Sequence, residues 1–231
     1  MEHYRHAEYD DYVEGYREAQ SRQIALSGET ADFFAGYKVG KLAHWLPDLA
    51  SRPAAVLDYG CGDGLMTSRV PRHFPRAAIS GVDSSSKSIE RALKRYPGIA
   101  FNCVQDSRLP FADGSTDLIF ASGVFHHIPF AEHRPRLDEI FRVLKPGGAF
   151  ALFELNPFNP FSAYVFLTSP FDANARFMFP AYSRRLLAGY GQIQMRYCSF
   201  FPRILASLRP LEPRLERIPL GAHYALIARK P

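Results

Sequence analysis

The sequence predicts an α/β fold in which a parallel sheet is doubly wound, with helices on both of its faces. Two observations support this prediction. Between residues 54 and 154, short apolar runs alternate with amphipathic segments of helical period. The first apolar run, Val56-Leu57-Asp58, leads directly into a glycine-rich turn. Strands that are separated by helices of this length require right-handed crossovers, which is the arrangement of doubly wound sheets.

Two helices and five strands are predicted between residues 54 and 154. The hydroxyl groups of Ser84–Ser86 can cap the first helix, and Pro97-Gly98 ends it. The second helix carries apolar residues from Leu137 to Leu144 and is predicted to stop at Pro146-Gly147-Gly148. The five predicted strands are Ala54–Asp58, Ala78–Asp83, Ala100–Val104, Asp117–Ala121 and Ala149–Glu154.

The flanks of this region differ from it in pattern. Residues 1–50 are predicted to form an N-terminal helical cap, in which Thr30 caps a helix with Phe34, Tyr37, Leu42 and Trp45 on its apolar face. After the fifth strand, phenylalanines are interleaved with prolines and asparagines, and ten of the chain's 19 phenylalanines lie between positions 150 and 201. An irregular aromatic lid over the carboxyl edge of the sheet is therefore predicted for residues 155–182.

Two further strands, Gln192–Phe200 and His223–Arg229, are predicted to close the sheet after a proline-rich, basic connection. We therefore expect one domain over residues 1–231. It would comprise the cap, a core over 54–154, a lid and connection over 155–222, and the final strand over 223–231.

Composition narrows the class of protein. The chain has 231 residues, of which 47% are hydrophobic and 22% charged, as in globular domains. No apolar run is long enough to span a membrane, and the polar start MEHYRHAEYDDY carries no export signal. Three widely spaced cysteines fit neither a disulfide framework nor a metal motif, so we expect a cytoplasmic protein without a metal.

Charge is unevenly distributed along the chain. The net charge is +5, but residues 172–231 contain ten lysines and arginines against three acidic residues. Such a segment could face an anionic lipid surface or an anionic ligand, or could simply be solvated. No nucleic-acid-binding module and no basic–aromatic stripe is present in the sequence, so we expect no nucleic-acid partner.

The glycine-rich turn, Asp58-Tyr59-Gly60-Cys61-Gly62-Asp63-Gly64, carries the strongest functional signal. Glycines allow close approach of a ligand to the backbone, but such a turn alone is shared by nicotinamide and flavin binders. Asp58 on the preceding strand would repel a pyrophosphate and attract a cation. Asp83 follows the second strand and Asp106 follows the third. Together with Asp58, these carboxylates predict a site for a cationic nucleoside.

These motifs resemble those of the class I S-adenosylmethionine-dependent methyltransferases. The matching segments are VLDYGCGDG at 56–64, GVD at 81–83, QDSRLPF at 105–111, STDLIFASGVFHHI at 115–128 and LKPGGAF at 144–150. The resemblance implies a Rossmann-like, seven-stranded sheet with an antiparallel last pair. Pro71 departs from the family pattern and puts the length of the helix that follows the glycine-rich turn in doubt. Segments outside the core resemble, more weakly, a bacterial branch of this superfamily that is associated with small-molecule biosynthesis.

The resemblance also implies cofactor contacts. Asp58 and the backbone around Gly60, Cys61 and Gly62 would hold the methionine part of S-adenosyl-L-methionine. Asp83 with Ser84 would bind the ribose, Asp106 with Ser107 the adenine edge, and Ser122 would line the cofactor. Lys38 and Tyr37 could reach the cofactor's carboxylate.

Methyl transfer requires alignment, exclusion of water and, for some acceptors, a base. His127, His126 and Glu154 follow the fourth and fifth strands and are the candidate bases, although each could be structural instead. Asn156, Phe158 and Asp172 in the lid, together with Tyr37, are the candidate acceptor contacts. Asn156-Pro157-Phe158 follows the fifth strand, not the fourth, so it does not match the turn of nucleic-acid amino-methylating enzymes.

The sequence therefore predicts transfer of a methyl group to a small molecule. O-methylation of an aromatic, natural-product or lipid-linked glycan acceptor is favoured, and N- or C-methylation stays open. The alternatives are a non-catalytic S-adenosylmethionine-binding regulatory partner, a nicotinamide oxidoreductase, and a membrane-surface protein whose basic segment contacts anionic lipid.

Overall fold

The structure, a computed structural model, describes residues 21–231, and a seven-stranded sheet forms its centre. The order of the strands is β3-β2-β1-β4-β5-β7-β6. All neighbours from β3 to β5 are parallel, whereas β7 is antiparallel to both β5 and β6. The strands are β1 (Ala54–Tyr59), β2 (Ala77–Asp83), β3 (Ala100–Cys103), β4 (Thr116–Ser122), β5 (Leu144–Leu155), β6 (Gln192–Cys198) and β7 (His223–Arg229). The predicted doubly wound sheet with an antiparallel closing pair is confirmed.

Helices cover both faces of this sheet. The described α-helices are α1 (Ala31–Trp45), α2 (Pro47–Ala50), α3 (Val70–His73), α4 (Ser86–Arg95), α5 (Phe130–Val143), α6 (Pro160–Thr168), α7 (Pro180–Leu187) and α8 (Glu212–Leu215). Short 3₁₀ helices occupy Ala25–Ser27, Thr67–Arg69, Phe125–His127, Pro170–Asp172 and Arg203–Leu211. Residues 1–20, part of the predicted cap, lie outside the described residues.

Local sequence signals explain several helix ends. The hydroxyl of Thr30 accepts a hydrogen bond from the backbone N–H of Phe33 at 3.1 Å, which caps α1 as predicted. Ser85 caps α4 in the same way through Ser88. Pro71 lies in the first turn of α3, where proline is tolerated, and that helix is only four residues long.

Two predictions about the region after α4 are wrong. Leu144 ends α5 and begins β5, so the helix stops before Pro146-Gly147-Gly148, and these residues form the start of the strand. The segment 155–182 is not irregular, because α6 forms there with Asn159 as its cap. The exposed face of α6 carries the apolar side chains of Tyr164 and Leu167, so the sequence shows no amphipathic period that would reveal the helix.

The core lies on both faces of the sheet. Along β4, Leu118 and Phe120 pack with α1 on one face, whereas Ile119 and Ala121 pack with α5 on the other, and all four are fully buried. This alternation is expected for a strand that is covered on both sides. The central strands are therefore held firmly, and their carboxyl ends are fixed positions for side chains.

A buried polar network joins α1 to the connection between β6 and β7. The hydroxyl of Tyr37 donates to Glu212, and Ser199 N donates to the same hydroxyl at 2.9 Å. Lys41 donates to Glu216 at 3.0 Å. Because both carboxylates are buried and partnered, they fix α1 against the sheet edge.

Within the described residues, no helix combines the length and the apolar character that crossing a membrane requires.

Candidate active site

The turn after β1 requires glycine, because its backbone adopts positive φ angles. Gly60 has φ = 75°, and its N–H donates to Val82 O at 2.8 Å. A Cβ atom at Gly60 would lie 2.4 Å from Val124 Cγ2, so this glycine is required by packing. A Cβ atom at Gly62 would meet nothing within 4 Å, although φ is 54° there. Gly62 therefore borders open space.

Asp83 ties this turn to the start of α4. Its Oδ2 accepts a hydrogen bond from Gly62 N at 2.8 Å, and its Oδ1 accepts one from Ser85 N at 2.9 Å. The carboxylate thus lies at the carboxyl end of β2, next to the turn after β1. This is the position that the topology of doubly wound sheets gives to a ribose-binding acid.

Asp58 is a buried acid at the end of β1. Its side chain is only 3% exposed, and its Oδ2 accepts a hydrogen bond from Thr67 Oγ1 at 2.6 Å. Burial raises the pKa of Asp58 to about 7, with a further contribution from the charge of Asp83, whereas the hydrogen bond from Thr67 opposes the shift. A ligand cation at this position would favour the ionised carboxylate. Thr67 carries no motif of its own, so the sequence did not indicate it.

One cavity of about 700 Å³ is bordered by Asp58, Asp83 and the glycine-rich turn. Its volume is within the size range of small-molecule sites. Apolar side chains, among them Val104, Leu109, Ile128 and Phe161, form much of its wall. The structure brings together at this cavity thirteen of the residues predicted for the site: Lys38, Asp58, Gly60, Cys61, Gly62, Asp83, Ser84, Asp106, Ser122, His126, His127, Glu154 and Asp172.

Lys38 reaches the cavity from α1. Its Nζ donates to Ser122 Oγ at 2.9 Å, at the carboxyl end of β4. Burial lowers the pKa of Lys38, and the charges of Cys198 and Glu154 oppose this shift. A half-buried ammonium that borders a cavity is suited to pair with a ligand carboxylate.

A cluster of two imidazoles and two carboxylates forms another part of the cavity wall. His126 Nδ1 lies 2.5 Å from Glu154 Oε2, and Glu154 Oε1 accepts from Phe125 N at 3.1 Å. On the other side of its ring, His126 Nε2 lies 3.3 Å from Asp172 Oδ1. His127 Nε2 lies 3.4 Å from the same oxygen. The 3₁₀ turns at Phe125–His127 and Pro170–Asp172 bring these residues together.

The two imidazoles of this cluster differ in their electrostatics. Burial disfavours a charge on His126, but the carboxylates of Glu154 and Asp172 outweigh it and raise the pKa of His126 to about 10. Burial and the positive charge of His126 lower the pKa of His127 to about 3, against the opposing effect of Asp172. Adjacent histidines thus take different protonation states.

Four predicted residues lie outside the cavity lining, and two of them, Tyr37 and Asn156, have a clear structural role. Tyr37 is bonded to Glu212, and burial raises the pKa of its hydroxyl above the usual range. Asn156 is fully buried and donates to Pro219 O and Gly221 O at 3.1 and 2.8 Å.

Phe158 is 62% exposed and contacts Phe179 away from the cavity, and Ser107 is also exposed. The side chains of Tyr37, Asn156 and Phe158 thus do not border the cavity, and the acceptor contacts predicted for them have no support from their positions. The adenine contact predicted for Ser107 is likewise not supported by its position.

Comparisons with known proteins agree with the fold and the turn. A family model described as a methyltransferase domain matches residues 56–148. Trans-aconitate 2-methyltransferase of Methylobacterium nodulans is 37% identical over 100 residues, which are 43% of this chain and 38% of that protein. The matched part of the chain thus spans less than two fifths of that relative's length.

Two solved structures are similar over nearly the whole chain. A methyltransferase from Thermotoga maritima, described as a possible histamine N-methyltransferase, has a TM-score of 0.71 and 20% identity, covering 95% of this chain and 98% of that one. The plantazolicin methyltransferase BpumL, in complex with a desmethyl-plantazolicin analogue and S-adenosylhomocysteine, has a TM-score of 0.68 and 17% identity. It covers 97% of this chain and 93% of its own. At these identities the similarity is one of fold.

Proposed function

We propose that this chain is a class I S-adenosylmethionine-dependent methyltransferase and that it transfers a methyl group to a hydroxyl group of a small molecule. The observation that carries the proposal is that the acidic glycine turn and the imidazole–carboxylate cluster open into one cavity. A donor and an acceptor must meet within one water-poor space for this chemistry.

The residues that border the cavity fit the family's cofactor, S-adenosyl-L-methionine. The open space at Gly62 leaves its backbone accessible, and a Cβ atom there would project into it. Asp58 is a buried carboxylate that forms no ion pair with the described residues, and an ammonium ligand would supply the positive charge that favours its ionised form. Asp83 borders the cavity, and a carboxylate can accept several hydrogen bonds, which suits ribose hydroxyls.

We assign the cofactor contacts as follows. Asp58 holds the amino group and Lys38 the carboxylate of the methionine part, since these two side chains supply opposite charges to one cavity. Asp106, which also borders the cavity, accepts from the adenine amine. The remaining contacts are those of the backbone at Gly60, Cys61 and Gly62 and of the side chains of Asp83, Ser84 and Ser122.

The chain's own contribution to the reaction is to position the acceptor and to accommodate its proton. The bound sulfonium supplies an electrophilic methyl group, so little further activation of the donor is needed. The cluster of His126, His127, Glu154 and Asp172 lies in the same cavity and is the group of polar side chains to which we assign contact with the acceptor hydroxyl.

The lid favours an acceptor with an apolar or aromatic part. Phe161 and Val165 of α6 border the cavity. Behind them, Phe166 packs against the edge of His126 and stacks on Phe177 with ring centroids 3.8 Å apart. Such a wall would bury apolar area of the acceptor and exclude water from the reacting atoms.

The experiment that tests the function has two parts. Calorimetry with S-adenosylhomocysteine measures cofactor binding, and methyl-labelled cofactor added to extract of the source cells measures transfer, followed by partition between organic solvent and water. Binding together with label in an organic-soluble small molecule supports the proposal. Binding without transfer to any small molecule would favour a non-catalytic regulatory protein, and absence of binding would overturn both.

Peripheral contact with an anionic lipid surface is a further part of our proposal. On the connection after β6, Glu212 and Glu216 point inward and are buried, whereas Arg203, Arg214 and Arg217 are exposed. Ile204 is 90% exposed on the same segment. This combination of arginines and apolar side chains suits a membrane surface, and salt-sensitive binding to vesicles containing phosphatidylserine tests it.

We also propose a cytoplasmic location. Cys61, Cys103 and Cys198 are all free thiols in the structure, which is typical of a reducing compartment. Fractionation of source cells with a tagged chain would test this, and recovery of the chain outside the cytoplasm would contradict it.

A further inference from the structure

We propose that His126, His127 and Asp172 form a binding site for one divalent transition-metal ion of the zinc class. The three residues offer two imidazole nitrogens and a carboxylate oxygen, and these atoms all lie within 4.8 Å of one another. The sequence predicted no metal, because Asp172 is far along the chain from the two histidines and no spacing motif connects them.

The distances match a metal site closely. Two ligands of a tetrahedral zinc ion, each about 2.1 Å from the metal, lie about 3.4 Å apart. The observed separations from Asp172 Oδ1 are 3.3 Å to His126 Nε2 and 3.4 Å to His127 Nε2. Two of the three ligand-to-ligand edges are therefore already at the required length.

The surroundings of His126 support ligation through Nε2. Its other nitrogen, Nδ1, lies 2.5 Å from Glu154 Oε2, so an Nδ1–H would donate to Glu154. Glu154 is held in turn by the backbone N–H of Phe125 at 3.1 Å. A histidine that donates one N–H to a carboxylate while its other nitrogen faces the metal position is the usual arrangement around bound metals.

The ligand set indicates both the class of metal and the type of site. Two imidazoles with one carboxylate suit zinc, cobalt or iron better than magnesium or calcium, which prefer oxygen ligands only. Three protein ligands leave at least one coordination position open, as in catalytic sites. Because all three ligand residues border the cavity, that position is accessible to a small molecule.

The role of such a metal rests on the proposed function, although its binding does not. A hydroxyl group of the acceptor could occupy the open position. As the metal–oxygen bond forms, the O–H bond would become more acidic, and its proton would pass to solvent. This would make the acceptor oxygen a better nucleophile without a separate base.

The test is a titration of the purified full-length chain, stripped with a chelator, with Co²⁺ alone and then with Zn²⁺. We expect one equivalent of Co²⁺ to give the visible absorption of a four- or five-coordinate site, and Zn²⁺ to displace it. Glu154→Gln removes a residue that only holds a ligand, so it should weaken Zn²⁺ binding about 10–100-fold. Asp172→Asn and His127→Gln remove ligands themselves and should weaken Zn²⁺ binding by more than that.

Controls separate metal loss from misfolding and from failure of the proposed function. His44→Gln removes an exposed imidazole and should leave Zn²⁺ affinity unchanged. Each variant is accepted only if its circular dichroism spectrum matches that of the parent chain, a criterion that does not depend on the proposed function. The proposal is overturned if the parent takes up no Co²⁺, or if Asp172→Asn and His127→Gln bind Zn²⁺ as tightly as the parent. Either result would leave the His126–Glu154 and His126–Asp172 contacts as an ion-pair network.

Discussion

Asp83 accepts a hydrogen bond from Gly62 N at 2.8 Å, so the acid that ends β2 also fixes the turn that ends β1. The two residues are 21 positions apart in the sequence and meet because β1 and β2 are adjacent and parallel. A change at Asp83 should therefore affect the turn as well as the ribose contacts.

Replacing Asp83 by alanine should weaken S-adenosylhomocysteine binding at least about a hundredfold, since each hydrogen bond to a charged group contributes about 1.5–3 kcal/mol. Isothermal titration calorimetry measures the change. Asp113→Ala removes an exposed aspartate outside the cavity lining and should alter the dissociation constant by less than about twofold. Unchanged binding by the Asp83 variant would refute the ribose assignment.

The affinity for the cofactor should depend on pH through Asp58. Its pKa is raised to about 7 in the free protein, mainly by burial, so the carboxylate is progressively protonated below pH 7. Because only the ionised form attracts an ammonium, the affinity should fall by up to about tenfold for each pH unit between pH 7 and pH 5 and level off above pH 8. Asp58→Asn should remove this slope, and a slope that persists would assign it to another group.

The same shift affects the stability of the ligand-free protein. The folded-state pKa of Asp58 lies above the usual value of 3.8, so the folded state binds the proton more tightly than the unfolded state does. The contribution of Asp58 to the free energy of unfolding should therefore decrease as the pH rises from about 4 to about 7. Urea denaturation of the parent and of Asp58→Asn across this range measures the difference, and parallel pH profiles would contradict it.

The two glycines of the turn should respond differently to alanine. Gly60→Ala places a methyl group 2.4 Å from Val124 Cγ2 in a left-handed backbone, so it should lower the free energy of unfolding by about 2–5 kcal/mol. Gly62→Ala meets no neighbouring atom and should cost about 1–2 kcal/mol, yet impair cofactor binding. Adding Val124→Ala should recover part of the loss at Gly60 and none at Gly62, as measured by urea denaturation.

Glu212→Ala should destabilise the protein by about 2–4 kcal/mol, because it leaves the buried Tyr37 hydroxyl and Phe200 N–H without their acceptor. Glu90→Ala removes an exposed ion pair with Lys94 on α4 and should leave the unfolding midpoint unchanged. Thermal unfolding of both variants provides the comparison. A midpoint for Glu212→Ala equal to that of the parent would show that the network does not hold α1.

The sheet was predictable because its signals are local. Apolar runs with flanking glycines place β1 and β2 within one residue of where the structure has them. The turn and its acids follow from the same strands, since parallel neighbours end at one edge. Short stretches of sequence are therefore enough to predict where the residues of the proposed cofactor site lie.

The acceptor side was less predictable, because it depends on contacts between distant residues. Asp172 was predicted to contact the acceptor, but its position beside both histidines depends on how the lid folds back over β4. Asn156 was also predicted to contact the acceptor, but at its position after β5 the side chain donates to the carbonyls of Pro219 and Gly221. Nothing in the local pattern distinguishes these two uses of an asparagine.

The network between Tyr37 and Glu212 also determines the order in which the cavity can be assembled. These residues are 175 positions apart, yet their contact holds the helix that carries Lys38. During synthesis, the glycine turn and the first five strands emerge from the ribosome long before Glu212 does. The nascent chain can thus form the glycine-rich turn and its neighbouring acids early, whereas the wall that carries Lys38 is secured only after most of the polypeptide has been made.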